Sequence, residues 1–573
     1  MFFKNINKFT EILGKKEKNY FLIFSILLFI AAILEFVSIG LIIPFAIVIT
    51  DSSLILNNIF VREHLSFIVG LSNFHLTILL LFLFYITYFL KFIFFIFLTS
   101  SKNKFLFSIK KKIQIELYKG YLSQSYIFHT NTNSSILINN ITNNVNLLVL
   151  YACQGILEFL SEIVLSIFII TLLLIYEPIG AIFVFLIGFV FIYIYFIFSK
   201  KKSEYIGANK KILDQQIVKE IQQSFNGIKE VLIYQKQFDF IEKFQDKIKN
   251  LTRLEAKFTN IIEYPRHFLE FTAIICFVCL LYFLLNNEKE TAYIVSVLSL
   301  FGAATFKLIP SINRMVVAYS KIRYNFSIID DLSPDLISFR KNSPITKIAK
   351  EKKLPFNSSL ELKGVDFAYG KKQIFKNLNV KFNKGEIVGV LGESGTGKST
   401  LINLISGLLV PNKGNILVDN KDISLNLFNW RSNISYIPQN IYLIDDTLKN
   451  NVAFFETSEI NDVKYKKAIN DAQIGNFVNS LTNKDFEIIG ERGVKISGGQ
   501  MQRIALARAL YKQSDIFILD EATNALDEMN EEKILDILSK LKKDKLIIII
   551  SHNKKTLKIC DKIFSINNMK LKV

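Results

Sequence analysis

Gly392-Glu393-Ser394-Gly395-Thr396-Gly397-Lys398-Ser399-Thr400 follows the apolar run Ile387 to Leu391 and precedes the helix-forming run Leu401-Ile402-Asn403-Leu404-Ile405. Strand, glycine loop, helix is the context that gives the pattern G-x-x-x-x-G-K-[ST] its meaning. The glycines let backbone N–H groups wrap around phosphate oxygens, and the helix N-terminus places partial positive charge beneath them. Lys398 is placed to reach the β- and γ-phosphates, and the Ser399 hydroxyl to bind Mg²⁺. The last third of the chain therefore reads as an α/β domain that takes a nucleoside triphosphate along residues 392–400.

The preceding part reads differently. The chain has 573 residues, too many for one ordinary domain, and 51% of them are hydrophobic. The apolar residues lie in long blocks before about residue 320. A bilayer span needs about 20 mainly apolar residues, and six such segments are legible: Tyr20 to Thr50, His75 to Thr99, Val149 to Tyr176, Ile179 to Ser199, Pro265 to Leu285, and Ala292 to Tyr319. The formal charge of +19 would suggest nucleic acid in a soluble protein. Here the basic residues flank the apolar blocks, so a membrane explains the charge and no nucleic acid is expected. Lys4, Lys8, Lys15, Lys16 and Lys18 precede the first span; Lys102, Lys104 and Lys110 to Lys112 follow the second; Lys200 to Lys202, Lys210 and Lys211 follow the fourth. The positive-inside rule then places both termini in the cytoplasm.

Residues 101–148 and 200–262 carry charged helical periodicity, so spans two to five are expected to continue beyond the bilayer. Asn57 to Val69 is a short amphipathic stretch on the outer side, an interfacial helix or a loop packed on the bundle. Residues 1–329 read as the membrane domain, 330–356 as a linker and 357–573 as the nucleotide domain. The four cysteines and five histidines have neither disulfide-framework nor metal-ligand spacing.

Further motifs accompany the phosphate loop in order. Tyr369 ends a strand-like run and is placed to stack on a nucleobase. Gln439 ends another, where an amide can bind Mg²⁺ or the attacking water. Ile516-Phe517-Ile518-Leu519 is a buried parallel strand by composition. It ends in Asp520, positioned to hold Mg²⁺, and Glu521, positioned to deprotonate water. His552 follows the run Leu546 to Ile550 and can contact the γ-phosphate. Ser497-Gly498-Gly499-Gln500 opens a second helix whose N-terminus suits a phosphate. Each loop heads its own helix, so the two cannot readily face one another in one compact domain. They can if two copies meet head to tail.

These residues resemble an ATP-binding cassette (ABC) transporter, specifically an exporter-type half-transporter: a polytopic six-helix membrane domain followed by a P-loop ATPase. The resemblance covers the whole chain. It makes Tyr369 the A-loop, residues 392–400 the Walker A loop, Gln439 the Q-loop, Ser497 to Gln500 the signature, Asp520 and Glu521 the Walker B carboxylates, Ala525-Leu526-Asp527 the D-loop, His552 the H-loop and Gly490 to Gly493 the X-loop. Ile496 stands for the usual Leu and Asn524 for a common Ser; neither removes a catalytic group. The resemblance implies ATP and Mg²⁺ as cofactors, a homodimer with two active sites, a bacterial inner-membrane location, and coupling helices around residues 124–140 and 221–236.

Charged residues inside spans are costly and face a cavity or a partner. Lys91, Arg266 and Lys307 lie on three spans and together would suit a phosphate or pyrophosphate. The competing reading pairs them with carboxylates such as Glu35, Glu158 or Glu270. Leu34 to Gly40 with Ile43 to Phe45, and Pro265 to Glu270, are similar to bacterial lipid-linked oligosaccharide flippases of the PglK-like group. That similarity implies an amphipathic, pyrophosphate-linked glycan as substrate. Export of a peptide, lipid A or hydrophobic drugs is the alternative. An ATP-gated regulatory or channel-like protein is a third, disfavoured because Glu521 and His552 are both present.

Overall fold

The computed structural model describes residues 14–42, 44, 48, 73–286, 291–341, 354–393, 395–454, 456, 459–490, 496–521, 528–551, 553–567 and 570–572. The chain divides into two compact units, residues 1–124 with 129–346, and residues 125–128 with 347–573.

The first unit is helical. Its long helices are α1 Lys15–Gly40, α2 Asn73–Leu122, α3 Gln154–Tyr176, α4 Pro178–Asn226, α5 Gln237–Asn286 and α6 Thr291–Tyr324. Among the described residues, stretches within α1, α2, α5 and α6, and the continuous stretch Ser134–Tyr176 that ends in α3, are long and apolar enough to cross a membrane. The fourth predicted span lies in α4. At 1.5 Å per residue, the 50 residues of α2 and of α5 extend about 75 Å, more than twice the hydrocarbon thickness. Their polar halves therefore run on outside it. Short helices Tyr126–Asn131 and Ile228–Ile233 turn the chain at the two far ends. The predicted outer segment 57–69 lies outside the described residues.

The helices are joined by an apolar core containing Ile39, Leu173, Ala181, Leu280, Leu300 and Phe301. Outside the span, α4 and α6 approach so closely at Gly207 that a Cβ there would lie 1.9 Å from the Tyr324 carbonyl oxygen. A polar chain links α2, the π-helical start of the third span and a seventh helix. The Tyr121 hydroxyl donates to Asp335 at 2.8 Å, accepts from Asn140 at 2.9 Å, and Asn140 accepts from Asn144 at 2.8 Å.

That seventh helix corrects the linker reading. Residues 330–341 belong to α7, Phe326–Lys341, which buries Ile328, Ile329, Leu332, Leu336 and Phe339 against the helical unit. Those positions repeat at helical spacing. Pro334 and the charges around it hid an amphipathic face that was present in the sequence.

The second unit contains two sheets. The antiparallel sheet runs β2-β1-β4-β5, with β1 Ser359–Tyr369, β2 Lys372–Asn383, β4 Lys413–Val418 and β5 Lys421–Asp422. The other runs β10-β9-β3-β8-β7-β6, with β3 Ile387–Leu391, β6 Ile434–Ile437, β7 Ile516–Asp520, β8 Leu546–Ile550, β9 Lys562–Asn567 and β10 Lys570–Lys572. β9, β3, β8, β7 and β6 are parallel. β3, β7 and β8 are buried almost throughout, as expected of strands covered on both faces.

Candidate nucleotide site and membrane charges

Register sets the site. Val390 and Asp520 both pair with Ile550, and Ile437 pairs with Leu519. The carboxyl ends of β3, β8, β7 and β6 are therefore level, and open α/β sheets bind ligands at this edge. The phosphate loop leaves β3, Asp520 and Glu521 end β7, and Gln439 follows β6.

The loop has the backbone its glycines permit. Gly395 and Gly397 have φ of 83° and 108°, and helix α8, Lys398–Ile405, starts directly after Gly397. A Cβ at Gly397 would stand 2.8 Å from Ile374, and one at Gly392 2.6 Å from Thr396 Oγ1. Lys398 Nζ folds back over its own loop, donating to the Gly392 carbonyl and, at 3.2 Å, to that of Glu393. The loop thus presents an ammonium group and a helix N-terminus together, a donor set suited to phosphates.

Opposite stand the carboxylates. Glu521 has φ of 52° and its N–H donates to the Ile550 carbonyl at 3.0 Å, which turns its side chain out of the strand. Gln439 Nε2 donates to Glu521 Oε2 at 2.8 Å, and the Tyr436 hydroxyl donates to Asp520 Oδ2 at 3.2 Å. Burial raises the Asp520 carboxyl above its ordinary range; the Tyr436 hydroxyl opposes the rise and the Glu521 charge reinforces it. Asp520 also feels the Lys398 charge, and its carboxylate, with the Ser399 hydroxyl of α8 and the Gln439 amide, is a hard-oxygen set that fits Mg²⁺. Tyr436 is the residue the sequence reading missed. Its place two residues before Pro438, alternating with buried Ile437, was the available signal.

Tyr369 is 44% exposed at the end of β1, its ring edge-on to Phe367 at 4.9 Å, so one face is open to stacking. The second glycine turn opens helix α9, Gly498–Lys512, through a capping box: Ser497 Oγ accepts from the Gln500 N–H at 3.3 Å, and Gln500 Oε1 from the Ser497 N–H at 2.8 Å. Both side chains brace the turn and leave the Gly498 and Gly499 backbone at the helix start. Ser394, His552, the D-loop 525–527 and X-loop residues 491–493 lie outside the described residues.

The family comparisons agree with this geometry. Residues 375–524 match the profile "ABC transporter", and residues 40–306 match "ABC transporter transmembrane region". The chain belongs to the ABC transporter family. It is 30% identical over 381 residues to an export ATP-binding/permease protein of Rickettsia typhi, a match covering 63% of each chain. It is 29% identical over 367 residues to the ATP-dependent lipid A-core flippase of Salmonella typhimurium, covering 63% of this chain and 62% of that one. The matched stretch thus spans less than two thirds of these relatives' length. The fold is that of a bacterial Atm1-family ABC exporter solved with ATP bound: TM-score 0.77 at 18% identity, over 98% of this ABC transporter and 95% of the other chain.

The three membrane cations are distributed among different carboxylates. Lys91 and Lys307 both pair with Glu35, Lys307 at 3.0 Å, and Glu35 is 4% exposed. Lys91 also donates to Ser38 Oγ at 3.3 Å. Arg266 pairs with Glu270 on its own helix at 2.9 Å. The expected single cluster is therefore two arrangements. One carboxylate faces two lysines, so the Glu35 group keeps a net positive charge. Arg266 lines an open cavity of about 590 Å³ with Glu270, Gly302, Asn313 and Arg314. Arg314 is also paired, through both nitrogens, with Glu162. Asn313 Oδ1 is buried without a hydrogen-bond partner among the described residues.

Proposed function

We propose that this ABC transporter is an ATP-driven exporter or flippase that works as a homodimer. It moves an anionic amphipathic molecule, foremost a pyrophosphate-linked lipid oligosaccharide, outward across a bacterial inner membrane with both termini cytoplasmic. The observation that carries the ATPase half is the level strand edge, which brings Lys398, Gln439, Asp520 and Glu521 together. Glu521 takes the proton of the attacking water, Gln439 orients that water, and Lys398 holds the β- and γ-phosphates. Ser399 and Asp520, with Gln439 nearby, would hold Mg²⁺, which would supply neutralisation of phosphate charge. Tyr369 stacks on the base, and His552 is assigned to the γ-phosphate. Ser497 to Gln500 of a second copy close over each nucleotide, since one domain has no phosphate of its own to offer that turn.

The substrate half rests on the membrane cations. The Arg266–Arg314 cavity and the one positive charge in excess at the Lys91–Glu35–Lys307 group favour an anionic headgroup over a neutral drug. The Salmonella relative, named as an ATP-dependent lipid A-core flippase, supports a lipid substrate in this reading. The test is ATPase and flipping in proteoliposomes across a panel: lipid pyrophosphate glycans, lipid A, a cationic drug and a peptide. Stimulation by the pyrophosphate lipid, lost on Arg266→Ala or Lys307→Ala with basal ATPase kept, supports it. Stimulation by the drug or peptide alone sinks it.

A further inference from the structure

Beside the charged cavity is a second one, of about 240 Å³, between α3, α4, α5 and α6. Its walls are nearly all hydrocarbon: Phe185, Phe189, Leu280, Phe301 and Ile309 are typical. Its hydroxyls are those of Ser166, which shares a hydrogen bond with Ser311 at 3.1 Å, Thr272, which donates to the Phe268 carbonyl at 2.7 Å, and Thr305. Water entering it would find few free polar partners, and cavities of that kind stay dry and take hydrocarbon. It is larger than the roughly 150 Å³ cavity that accommodates a benzene ring.

Two features tie it to the charged cavity. Thr305 and Ile309 of α6 line both. Each cavity also contains a mid-helix glycine that packing in this chain does not require. A Cβ built at Gly188, on the apolar side, or at Gly302, on the charged side, meets no heavy atom within 4 Å. Glycine lowers helix propensity relative to alanine, so these two positions keep space open at a cost to their helices. Along α5, Arg266 lies next to the polar extension and Cys276, ten residues on, lies about 15 Å deeper. On α6 the two cavities lie side by side, over Phe301 to Met315 and Gly302 to Arg314, while on α5 the apolar one runs from Leu269 to Leu280, so it reaches deeper into the span than the charged groups Arg266 and Glu270.

We infer that the apolar cavity is a subsite for the hydrocarbon tail of the same anionic lipid whose headgroup occupies the Arg266–Arg314 cavity. This rests on the reading of the chain as a transporter of anionic amphiphiles. The test uses the full-length protein in nanodiscs with a polyprenyl phosphate carrying a diazirine in its tail, and the corresponding neutral alcohol. We expect photo-adducts on α4, α5 and α6 around Gly188 and Cys276 from the phosphate, competed by unlabelled phosphate. Gly188→Leu should lower their yield at least fivefold with a thermal midpoint like that of the wild type. In wild type, binding should tighten with tail length and then level off, a measurement that needs no variant. Equal labelling by the alcohol means the cavity holds ordinary bilayer hydrocarbon, and overturns the inference. So does unchanged labelling in a folded Gly188→Leu variant. Cross-links between two protomers at Gly188→Cys would make a second copy the occupant and also overturn it. If labelling is absent while the phosphate still stimulates ATPase through Arg266, the tail subsite fails and the transport reading stands. If labelling is selective and Gly188-dependent but no anionic lipid stimulates ATPase, the subsite stands and the transport reading fails.

Discussion

Glu521 is held by its backbone, through a left-handed φ and a bond to Ile550, and its carboxylate is met by Gln439. Glu521→Gln keeps the shape and removes the basicity, so turnover should fall by about 10²–10⁴-fold while ATP binding persists. Near-normal steady-state hydrolysis would exclude Glu521 as the base. Glu35 is a different kind of residue: one buried acceptor for two lysines. Glu35→Gln leaves both ammonium groups without a counter-charge and should destabilise the membrane unit by about 3–5 kcal/mol. Lys91→Met leaves Glu35 still paired with Lys307 and should cost less. Thermal midpoints of the two variants in detergent decide the order; a milder loss for Glu35→Gln would mean the lysines have other partners.

At the scale of elements, two polar junctions hold segments that hydrophobic contact alone would leave loose. Tyr121 of α2 fastens α7 through Asp335 and the π-helical start of the third span through Asn140. Tyr121→Phe strands both partners in a buried setting and should cost about 1–3 kcal/mol, read as a lower melting temperature with ATP affinity unchanged. Asp419 ties the start of β1 to the end of β4, accepting from the Ser358 and Ser359 N–H groups at 2.8 and 2.9 Å and from the Ser358 hydroxyl at 2.6 Å. Burial opposes its ionisation, but these hydrogen bonds hold its pKa down at about 2. Its contribution is therefore complete above the ordinary value of 3.8 and disappears as pH falls towards about 2. Asp419→Asn should flatten that part of the acid stability profile, and a profile identical to wild type would show the junction to be without effect. What the sequence revealed at this scale follows from distance along the chain. The phosphate loop, the β7 carboxylates and the signature turn are local patterns whose backbone demands specific residues, and they were legible. The sharing of Glu35 by Lys91 and Lys307 joins residues 56 and 272 positions away, and no periodicity encodes that. α7 was legible in its apolar spacing but was masked by Pro334.

For the whole molecule, the proposed homodimer sets the signature turn of one copy against the nucleotide of the other. Mixing Lys398→Ala subunits with Ser497→Arg subunits should produce dimers in which one composite site is intact and the other carries both defects. Each such heterodimer should hydrolyse ATP at roughly half the wild-type rate if sites act independently, so a randomly paired equal mixture should reach about a quarter of the wild-type rate per dimer, while either variant alone is inactive. Full-rate hydrolysis by an isolated monomer would defeat the head-to-tail arrangement. The Glu35 group has a consequence of an electrical kind. Two ammonium groups against one carboxylate leave about one elementary charge inside the membrane unit. A resting potential does about 2.3 kcal/mol of work on such a charge per 100 mV crossed. Moving the group through half of that field between two states would tilt their populations by roughly sevenfold. A headgroup of about one negative charge travelling alongside would cancel the tilt, and a pyrophosphate of about two would reverse it. With that pyrophosphate the empty return stroke and the loaded stroke would feel the voltage in opposite senses, so that energisation of the membrane biases the direction in which the empty cavity waits.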